Sequence, residues 1–276
     1  MEQFDIAGQT ISPRKKPLLI AGPCVLEDIE DAIRVGTECA AIAEKHGFFY
    51  IFKSSYLKDN RSSINSYSGP GLDEGLEMLR RIGSETGVPL LTDIHSVGEA
   101  APAAEVCDVL QIPAFLSRQT SLVTAAAETG KALNLKKGQF LSPEEMYLAV
   151  EKARRSGAGG VMVTERGTFF GYHNLVVDFT AFPRMRDLDI PMIFDATHSL
   201  QLPGRLGNRS GGRPGLARYL ARAAAAAGCD GLFIETHFEP ITCECDAEVM
   251  LPLDELPRLL DEAGRLFGLV RSFDED

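Results

Sequence analysis

Length, composition and charge limit this chain to a few classes of protein. With 276 residues, of which 45% are hydrophobic and 24% charged, it has an ordinary globular composition and is long enough for one large core, which argues against a mostly disordered protein. The net charge of −11 gives no support for nucleic-acid binding, because a protein that neutralises phosphate backbones normally carries a basic face.

The N-terminal region and the cysteines indicate the compartment. The first apolar run follows Lys15, Lys16 and Pro17 and is far too short to span a bilayer, so we expect neither secretion nor membrane insertion. Six cysteines in a chain of this length, without a secretory signal, are more typical of thiols than of a disulfide framework. We therefore predict a cytoplasmic protein.

Eight short apolar runs, separated by helix-like segments, form the main pattern. Each run begins with apolar, β-prone residues and ends with polar or charged ones, as is typical of buried parallel strands that carry a site at their carboxyl ends. The runs are residues 18–24, 49–55, 89–95, 109–113, 133–137, 161–167, 192–198 and 231–237. Eight such units close a barrel, so we predict an α/β fold, a single (β/α)8 TIM barrel.

No break in composition marks a second domain. We expect residues 1–276 to form one domain, in which residues 1–16 are an N-terminal extension that a short hairpin would suit and residues 17–276 are the barrel.

The segments between the runs carry helix signals. Residues 28–47 have acidic residues in the first turns and Gly47 as a stop. In the segment 142–157, Ser142 suits the N-cap and Gly157 the left-handed C-cap. The Ala-rich segment 217–228 is typical of a helix packed on the outside of a barrel.

Two connections, residues 56–72 and 199–216, are longer than a barrel turn needs. The second is rich in Gly and Arg and lacks an apolar face for packing, which suits either a mobile anion-binding lid or an ordinary disordered loop.

Cations accumulate at the carboxyl ends of the predicted strands. An acidic protein that places cations on several barrel strands focuses positive potential on a phosphate or carboxylate, although each cation alone could equally be a solvated surface charge. The six cations are Lys53, Lys58, Arg61, Arg118, Lys136 and Arg166.

A thiol, an imidazole and two carboxyl groups could together bind a divalent ion such as Fe, Mn, Co or Zn. Spacing alone does not select this set, because each member has another plausible role. The thiol could be a small buried side chain, the imidazole could act as a general acid, and one carboxylate could cap a loop or helix. The four residues are Cys24, His198, Glu235 and Asp246. Cys243 and Cys245 lack a second thiol pair, so we interpret them as structural or solvent-facing.

A Schiff-base aldolase is an alternative. Lys53 or Lys136 could attack a carbonyl if its pKa were depressed, and the neighbouring cation Lys137 would help to depress that of Lys136. The strand ends offer no obvious acid/base pair for such a lysine, so this hypothesis ranks second.

Longer segments between residues 21 and 253 carry a family resemblance. They include AGPCVLE (21–27), LLTDIH (90–95), FDATHSLQLPG (194–204) and IETHFEP (234–240), and the most specific is K-x-N-R-S at 58–62. With these segments the chain resembles the 3-deoxy-D-manno-octulosonate 8-phosphate synthases. The related heptulosonate synthases carry a K-P-R-[ST]-type segment in place of K-x-N-R-S, which separates the two substrate aldehydes.

The resemblance implies a role for each matching residue. It implies that phosphoenolpyruvate is held by cations of four strands, namely Lys53, Lys58, Lys136 and Arg166. The arabinose 5-phosphate would be held by Asn60, Arg61 and Ser62, with weaker assignments for Asp93 and Gln111 in the same polar shell. Arg118 would reach that sugar phosphate in a neighbouring subunit, which implies a homo-oligomer, usually a tetramer.

The resemblance also implies a metal. Family members with Cys in the first-strand motif are metal-dependent, and those with Asn are not, so AGPCV implies a metal-dependent enzyme whose ligands are Cys24, His198, Glu235 and Asp246. One departure is Asp59, where the family commonly has Ala. It adds a carboxylate beside the sugar-binding residues but leaves every named side chain in place.

The implied activity is an aldol-type condensation of phosphoenolpyruvate with D-arabinose 5-phosphate and water, with catalytic roles for Cys24, Lys58, Lys136, His198 and Asp246. The alternatives are an aldolase or heptulosonate synthase and a catalytically silent barrel that binds a phosphorylated metabolite. We expect no nucleic-acid or membrane partner.

Overall fold

A short hairpin followed by eight strand–helix units makes up the described part of the chain. This computed structural model describes residues 3–59, 66–205 and 211–273. The hairpin pairs β1 (Phe4–Ile6) antiparallel with β2 (Gln9–Ile11). The strands that follow it in the barrel are β3 (Leu18–Gly22), β4 (Phe49–Lys53), β5 (Leu90–Asp93), β6 (Val109–Ile112), β7 (Ala132–Lys136), β8 (Gly160–Glu165), β9 (Met192–Asp195) and β10 (Gly231–His237).

These eight strands form a closed parallel barrel. Each strand from β3 to β9 pairs with the next one along the chain, and β10 pairs with both β3 and β9, so that the sheet has no free edge. The predicted fold class, a (β/α)8 barrel, is therefore confirmed.

One helix follows each barrel strand and packs outside it. The helices are α1 (Ile29–Lys45), α2 (Leu72–Thr86), α3 (Ala100–Val106), α4 (Thr120–Glu128), α5 (Met146–Arg155), α6 (Ala181–Met185), α7 (Ala217–Ala226) and α8 (Leu256–Phe273). Apolar side chains between the strands and helices form the larger core, which includes Leu19, Phe52 and Leu110 from the strands and Val35, Leu79 and Leu259 from the helices.

The predicted helix ends are confirmed at two helices. The Asp28 side chain accepts a hydrogen bond of 2.9 Å from the Asp31 amide at the start of α1. Ser142 and Glu145 form a capping box before α5, although the first turn there, Pro143–Glu145, is a 3-10 turn. Gly157, just after α5, has a φ of +92°, which glycine adopts without strain.

The hairpin fills the amino-terminal end of the barrel. Phe4 and Ile6 of β1 and Ile11 of β2 pack against inward-facing side chains of the barrel strands, including Leu91 and Val109. A Cβ atom at Gly160, the first residue of β8, would lie 2.1 Å from the Phe4 ring, so the ring requires a glycine at this position. Catalytic groups of this fold lie at the opposite, carboxyl end.

The long connection at 199–216 differs from its prediction. Leu200 and Leu202 are buried, and Gln201–Leu202 pairs antiparallel with Gly211–Gly212, so the connection does pack apolar side chains and contains a short ladder. Residues 206–210 lie outside the described ranges.

Among the residues placed in the structure, no helix combines the length and the apolar character needed to cross a membrane.

We expect Phe4→Ala to lower the free energy of unfolding by about 3–5 kcal/mol, because it removes a buried ring and leaves a cavity at the amino-terminal end of the barrel. The measurement is urea-induced unfolding followed by circular dichroism. The matched control is Thr10→Ala on the exposed side of β2, which should change the stability by less than about 0.5 kcal/mol. Equal stability of the two variants would contradict the plugging role of the hairpin.

Candidate functional site

The carboxyl ends of the barrel strands gather most of the predicted site residues into one buried polar cluster. Its four cations are almost completely buried, with exposed fractions of 1% for Lys53, 9% for Lys58, 5% for Lys136 and 7% for Arg166. Charged side chains are rarely buried to this extent unless they are paired, so each of them needs an anionic or carbonyl partner.

Two lysines share two carboxylates. Nζ of Lys53, at the end of β4, lies 3.8 Å from Oδ1 of Asp93 and 3.5 Å from Oε1 of Glu235. Nζ of Lys58, in the loop after β4, lies 3.8 Å from Oδ2 of Asp93 and 3.8 Å from Oε1 of Glu235. Although burial disfavours its ionised form, the positive charges of the two lysines lower the pKa of Asp93.

A third carboxylate, Asp195 at the end of β9, joins a lysine to a histidine. Nζ of Lys136 donates to Oδ2 of Asp195, and the same oxygen lies 2.7 Å from Nδ1 of His198. Burial disfavours a charged imidazole, but the carboxylates of Asp195 and Glu235 outweigh that effect and raise the pKa of His198. The lysine and the histidine are therefore both held in place by one anion.

Burial lowers the pKa of Lys136 to about 8 even though Asp195 opposes the shift. The neighbouring cations that lower it are Lys53 and Arg166, so the prediction that Lys137 depresses it is wrong. Lys137 points elsewhere, because its Nζ lies 3.0 Å from the Leu141 carbonyl oxygen. The expectation that the lysine lacks an acid/base partner is also wrong, since Asp195 is in direct contact with it.

Arg166 connects the end of β8 to the loop that follows β9. Its Nη2 donates to the His198 carbonyl oxygen at 2.7 Å and to Oε1 of Gln201 at 2.8 Å. Nε2 of Gln201 in turn donates to Oδ1 of Asp246 at 3.2 Å. The guanidinium is thus fixed beside the residues predicted to bind metal.

The four predicted metal ligands lie together. Nε2 of His198 is 3.4 Å from Oε1 of Glu235 and 3.8 Å from Oδ2 of Asp246. The Cys24 thiol donates to the same Asp246 oxygen at 3.4 Å. Two overlapping groups of ligand atoms result, one of His198, Glu235 and Asp246 and one of Cys24, Asp246 and Cys245. The described residues therefore supply groups able to bind a metal ion.

A chain of hydrogen bonds runs beneath the cluster, from Ser55 in the loop after β4 across the four strands β5 to β8. The Ser55 hydroxyl donates to Asp93 at 2.5 Å, and the amide of Gln111 donates to the other Asp93 oxygen at 2.5 Å. Asn134 then donates to Gln111 at 2.8 Å, and Thr164 donates to Asn134 at 2.7 Å. All five side chains are buried, so the chain fixes the position of Asp93 between the two lysines.

The family model described as the DAHP synthetase I family matches residues 5–267, which is nearly the whole chain. The chain belongs to the DAHP synthetase I family.

Three similar proteins share one name. A 2-dehydro-3-deoxyphosphooctonate aldolase of Nitratidesulfovibrio vulgaris (strain DP4) is 52% identical over 251 residues, which cover 91% of this chain and 92% of that protein. Proteins of the same name from Trichlorobacter lovleyi and Geotalea daltonii are 52% and 46% identical, over 92% and 98% of this chain and 93% and 100% of their own. The resemblance found in the sequence is thereby confirmed.

Four predicted site residues of this DAHP synthetase I family member are not among the described residues of the buried cluster. Arg118 is exposed, in the loop between β6 and α4, rather than in the buried cluster. Asn60, Arg61 and Ser62 fall outside the described residues, whereas Asp59, just before them, is exposed.

Asp195 and Cys245 belong to the cluster but not to the predicted site residues. Asp195 ends a barrel strand, the same kind of position as the other candidates, but the run that contains it also contains His198. Cys245, interpreted as structural or solvent-facing, is buried and thus not solvent-facing, and its sulfur lies in a group of potential ligand atoms. Its only signal in the sequence is that it precedes Asp246. Its companion Cys243 is half-buried.

We expect Asp195→Asn to lower the pKa of Lys136 further below about 8, because the substitution removes the negative charge that opposes the effect of burial. The measurement is a pH titration of the lysine ammonium groups by nuclear magnetic resonance with 15N-labelled lysine.

The matched control is Glu165→Gln. Oε2 of Glu165 lies 3.4 Å from Nζ of Lys137, so this variant should leave the titration of Lys136 unchanged. An unchanged Lys136 titration in Asp195→Asn would refute the coupling.

Proposed function

We propose that the chain is a transferase with 3-deoxy-8-phosphooctulonate synthase activity. It condenses phosphoenolpyruvate with D-arabinose 5-phosphate and water to give 3-deoxy-D-manno-octulosonate 8-phosphate and phosphate, for lipopolysaccharide biosynthesis. The observation that carries the proposal is the meeting of four buried cations with a set of potential metal ligands at the carboxyl end of the barrel. The name shared by relatives 45–52% identical to the chain selects this reaction among those that such a site could perform.

The cations hold phosphoenolpyruvate in this proposal. The molecule carries a phosphate and a carboxylate, and Lys53, Lys58, Lys136 and Arg166 provide the charges to bind both. The present partners of the three lysines are carboxylates at up to 3.8 Å, and those of Arg166 are the His198 carbonyl and the Gln201 side chain, so the cations are already oriented before the substrate arrives. Such preorganisation lowers the cost of bringing two polyanions together.

A divalent ion would be held by Cys24, His198, Glu235 and Asp246. The residues fit such an ion, because Oε2 of the fully buried Glu235 has no hydrogen-bond partner among the described residues, and a buried carboxylate oxygen needs one. The donor set of one sulfur, one nitrogen and carboxylate oxygens suits Fe, Mn, Co or Zn. When bound, the ion supplies Lewis acidity that orients or polarises the aldehyde or activates the water.

The side chains move the protons of the reaction. A bond forms between C3 of phosphoenolpyruvate and the aldehyde carbon, water adds at C2, and phosphate leaves with cleavage of the C–O bond. The water oxygen becomes the C2 carbonyl oxygen and loses both of its protons. The aldehyde oxygen gains one proton, and the leaving phosphate gains the other. Lys136, whose pKa of about 8 is close to neutrality, and His198, linked to it through Asp195, can hold and exchange these protons.

The sugar phosphate binds at the rim of the barrel. We assign it to Asn60, Arg61 and Ser62, which follow Lys58 directly in the sequence, with Asp93 and Gln111 deeper in the polar cluster. Lys58, two residues before this segment in the sequence, lies 3.8 Å from Glu235 in the buried cluster.

A homotetramer would bring Arg118 of a neighbouring subunit to this sugar phosphate. Large exposed aromatic side chains occur on the loops that follow β6, β7 and β8, and they are Phe115, Phe140, Phe170 and Tyr172. Exposed apolar groups of this kind are typical of subunit interfaces, and Arg118 lies three residues from the first of them.

The cytoplasm is the proposed compartment, because all six cysteines occur as thiols.

We expect chelation of divalent ions to abolish the condensation activity, and added Fe, Mn, Co or Zn to restore it. Glu235→Gln should lose bound metal, because the substitution removes one anionic ligand, and elemental analysis of the purified protein measures this. Glu239→Gln is the matched control, since Glu239 is exposed beyond the end of the same strand and should leave the metal content unchanged. A wild type that is fully active in excess chelator, with no metal bound, would sink the ligand assignment.

The aldehyde distinguishes the proposed activity from that of a heptulosonate synthase, which the family description also covers. We expect faster turnover with arabinose 5-phosphate than with erythrose 4-phosphate, because K-x-N-R-S at 58–62 replaces the segment of the heptulosonate synthases. Phosphate release on mixing each aldehyde with phosphoenolpyruvate measures both rates. Preference for erythrose 4-phosphate would favour the alternative, and release with neither would favour a non-catalytic barrel.

A further inference from the structure

Cys245 lies in the metal-binding region, although no role has been assigned to it so far. Its side chain is 1% exposed and packs in a small buried cluster with Cys24, Val25 and Met250. The two thiols therefore face each other in a pocket that apolar side chains shield from water.

The distances place the two sulfur atoms within reach of one ion. Sγ of Cys24, Sγ of Cys245 and a carboxylate oxygen of Asp246 all lie within 4.8 Å of one another. Two sulfur atoms bound to one tetrahedral ion are about 3.8 Å apart, because each metal–sulfur bond is about 2.3 Å long. A movement of roughly one ångström at a side chain thus suffices to bring both sulfurs into one coordination shell.

The backbone explains how two consecutive side chains can face the same point. Asp246 has a φ of +52°, a left-handed conformation that residues other than glycine seldom adopt but that Asp tolerates better than most. Its carbonyl oxygen accepts hydrogen bonds from the amides of Val249 at 2.9 Å and Met250 at 3.1 Å, which holds the turn in place. Strained conformations of this kind concentrate at functional sites.

A second, independent observation points to a cation. Oε2 of Glu235 is buried without a hydrogen-bond partner among the described residues, beside the same Asp246 that completes both groups of ligand atoms. Asp246 thus joins the sulfur-rich group to the group of His198 and Glu235.

We infer that Cys245 is a second sulfur ligand of the metal and that it biases the site toward thiophilic ions. The inference rests on the proposed function, which places an ion at Cys24, His198, Glu235 and Asp246. On binding, each thiol gives its proton to water and donates a sulfur lone pair to the ion, with no change of oxidation state. Soft thiolate ligands favour Zn²⁺ and Cd²⁺ over the hard Mn²⁺, so a second thiolate increases that preference.

The test uses Co²⁺ as a spectroscopic probe and requires no turnover. Reduced wild-type protein and the variants Cys245→Ser and Cys245→Ala are loaded with Co²⁺, and the near-ultraviolet absorption from sulfur-to-cobalt charge transfer is recorded. We expect both variants to show about half of the wild-type intensity, because one of two thiolates has been removed. Competition with a chelator should show affinities for Zn²⁺ and Cd²⁺ that are weaker by at least about tenfold, with a smaller change for Mn²⁺.

Cys243→Ser is the matched control. Cys243 lies two residues earlier and lines a cavity that also reaches Cys24, but it does not belong to the group of ligand atoms. This variant should keep the wild-type spectrum and affinities, and thermal unfolding of all variants checks that the fold is retained.

Two outcomes separate the inference from the proposed function. Wild-type intensity and unchanged ion preference in Cys245→Ser, together with loss of the band in Cys24→Ser, would overturn the inference and leave the proposed metal site standing. Absence of Co²⁺ binding by the wild type itself would overturn the proposed metal site and the inference with it.

Discussion

The pairing of buried cations with three carboxylates is the interaction on which the rest of the site depends. An isolated charge transferred from water into a protein interior costs several kcal/mol, and the mouth of this barrel buries three lysines and an arginine almost completely. Asp93, Asp195 and Glu235 make that burial tolerable, and each of them is itself buried at or beside a strand end. The register of the barrel therefore has to place these strand ends at one level, because a shift of one residue would turn a charge toward the helices.

Glu235 shows how closely the anionic and cationic parts of the site are coupled. One of its oxygens lies within 3.8 Å of both Lys53 and Lys58 and within 3.4 Å of His198. The carboxylate that neutralises the lysines is thus also a potential metal ligand. A divalent ion bound to Glu235 would offset the negative charge of this carboxylate and leave the two lysines more available to an anionic substrate. Binding of the ion and of phosphoenolpyruvate should therefore reinforce each other electrostatically.

The fold could be predicted from the sequence because eight apolar runs alternate with helix-like segments, and most runs end in polar residues at the positions where a parallel barrel collects its functional groups. The same rule selects Lys53 and Lys136 among the cations and Glu235 among the potential metal ligands, and the structure brings these strand ends into one buried cluster. Asp195 also ends a strand, but the contacts with Lys136 and His198 that give it its role are visible only in the structure. Cys245 was missed because its orientation depends on a left-handed turn at Asp246, and a non-glycine residue gives no local signal of such a turn.

The hairpin at the amino-terminal end of the barrel limits the path by which small molecules can enter and leave. Phe4, Ile6 and Ile11 occupy the interior at that end, so the route to the buried lysines leads through the loops at the other end. A binding site that is open at one end only has to be filled and emptied in a fixed order. On the proposed assignment of substrates, the molecule that binds against Lys136 would therefore have to arrive before the one held at the rim, and the products would have to leave past the rim.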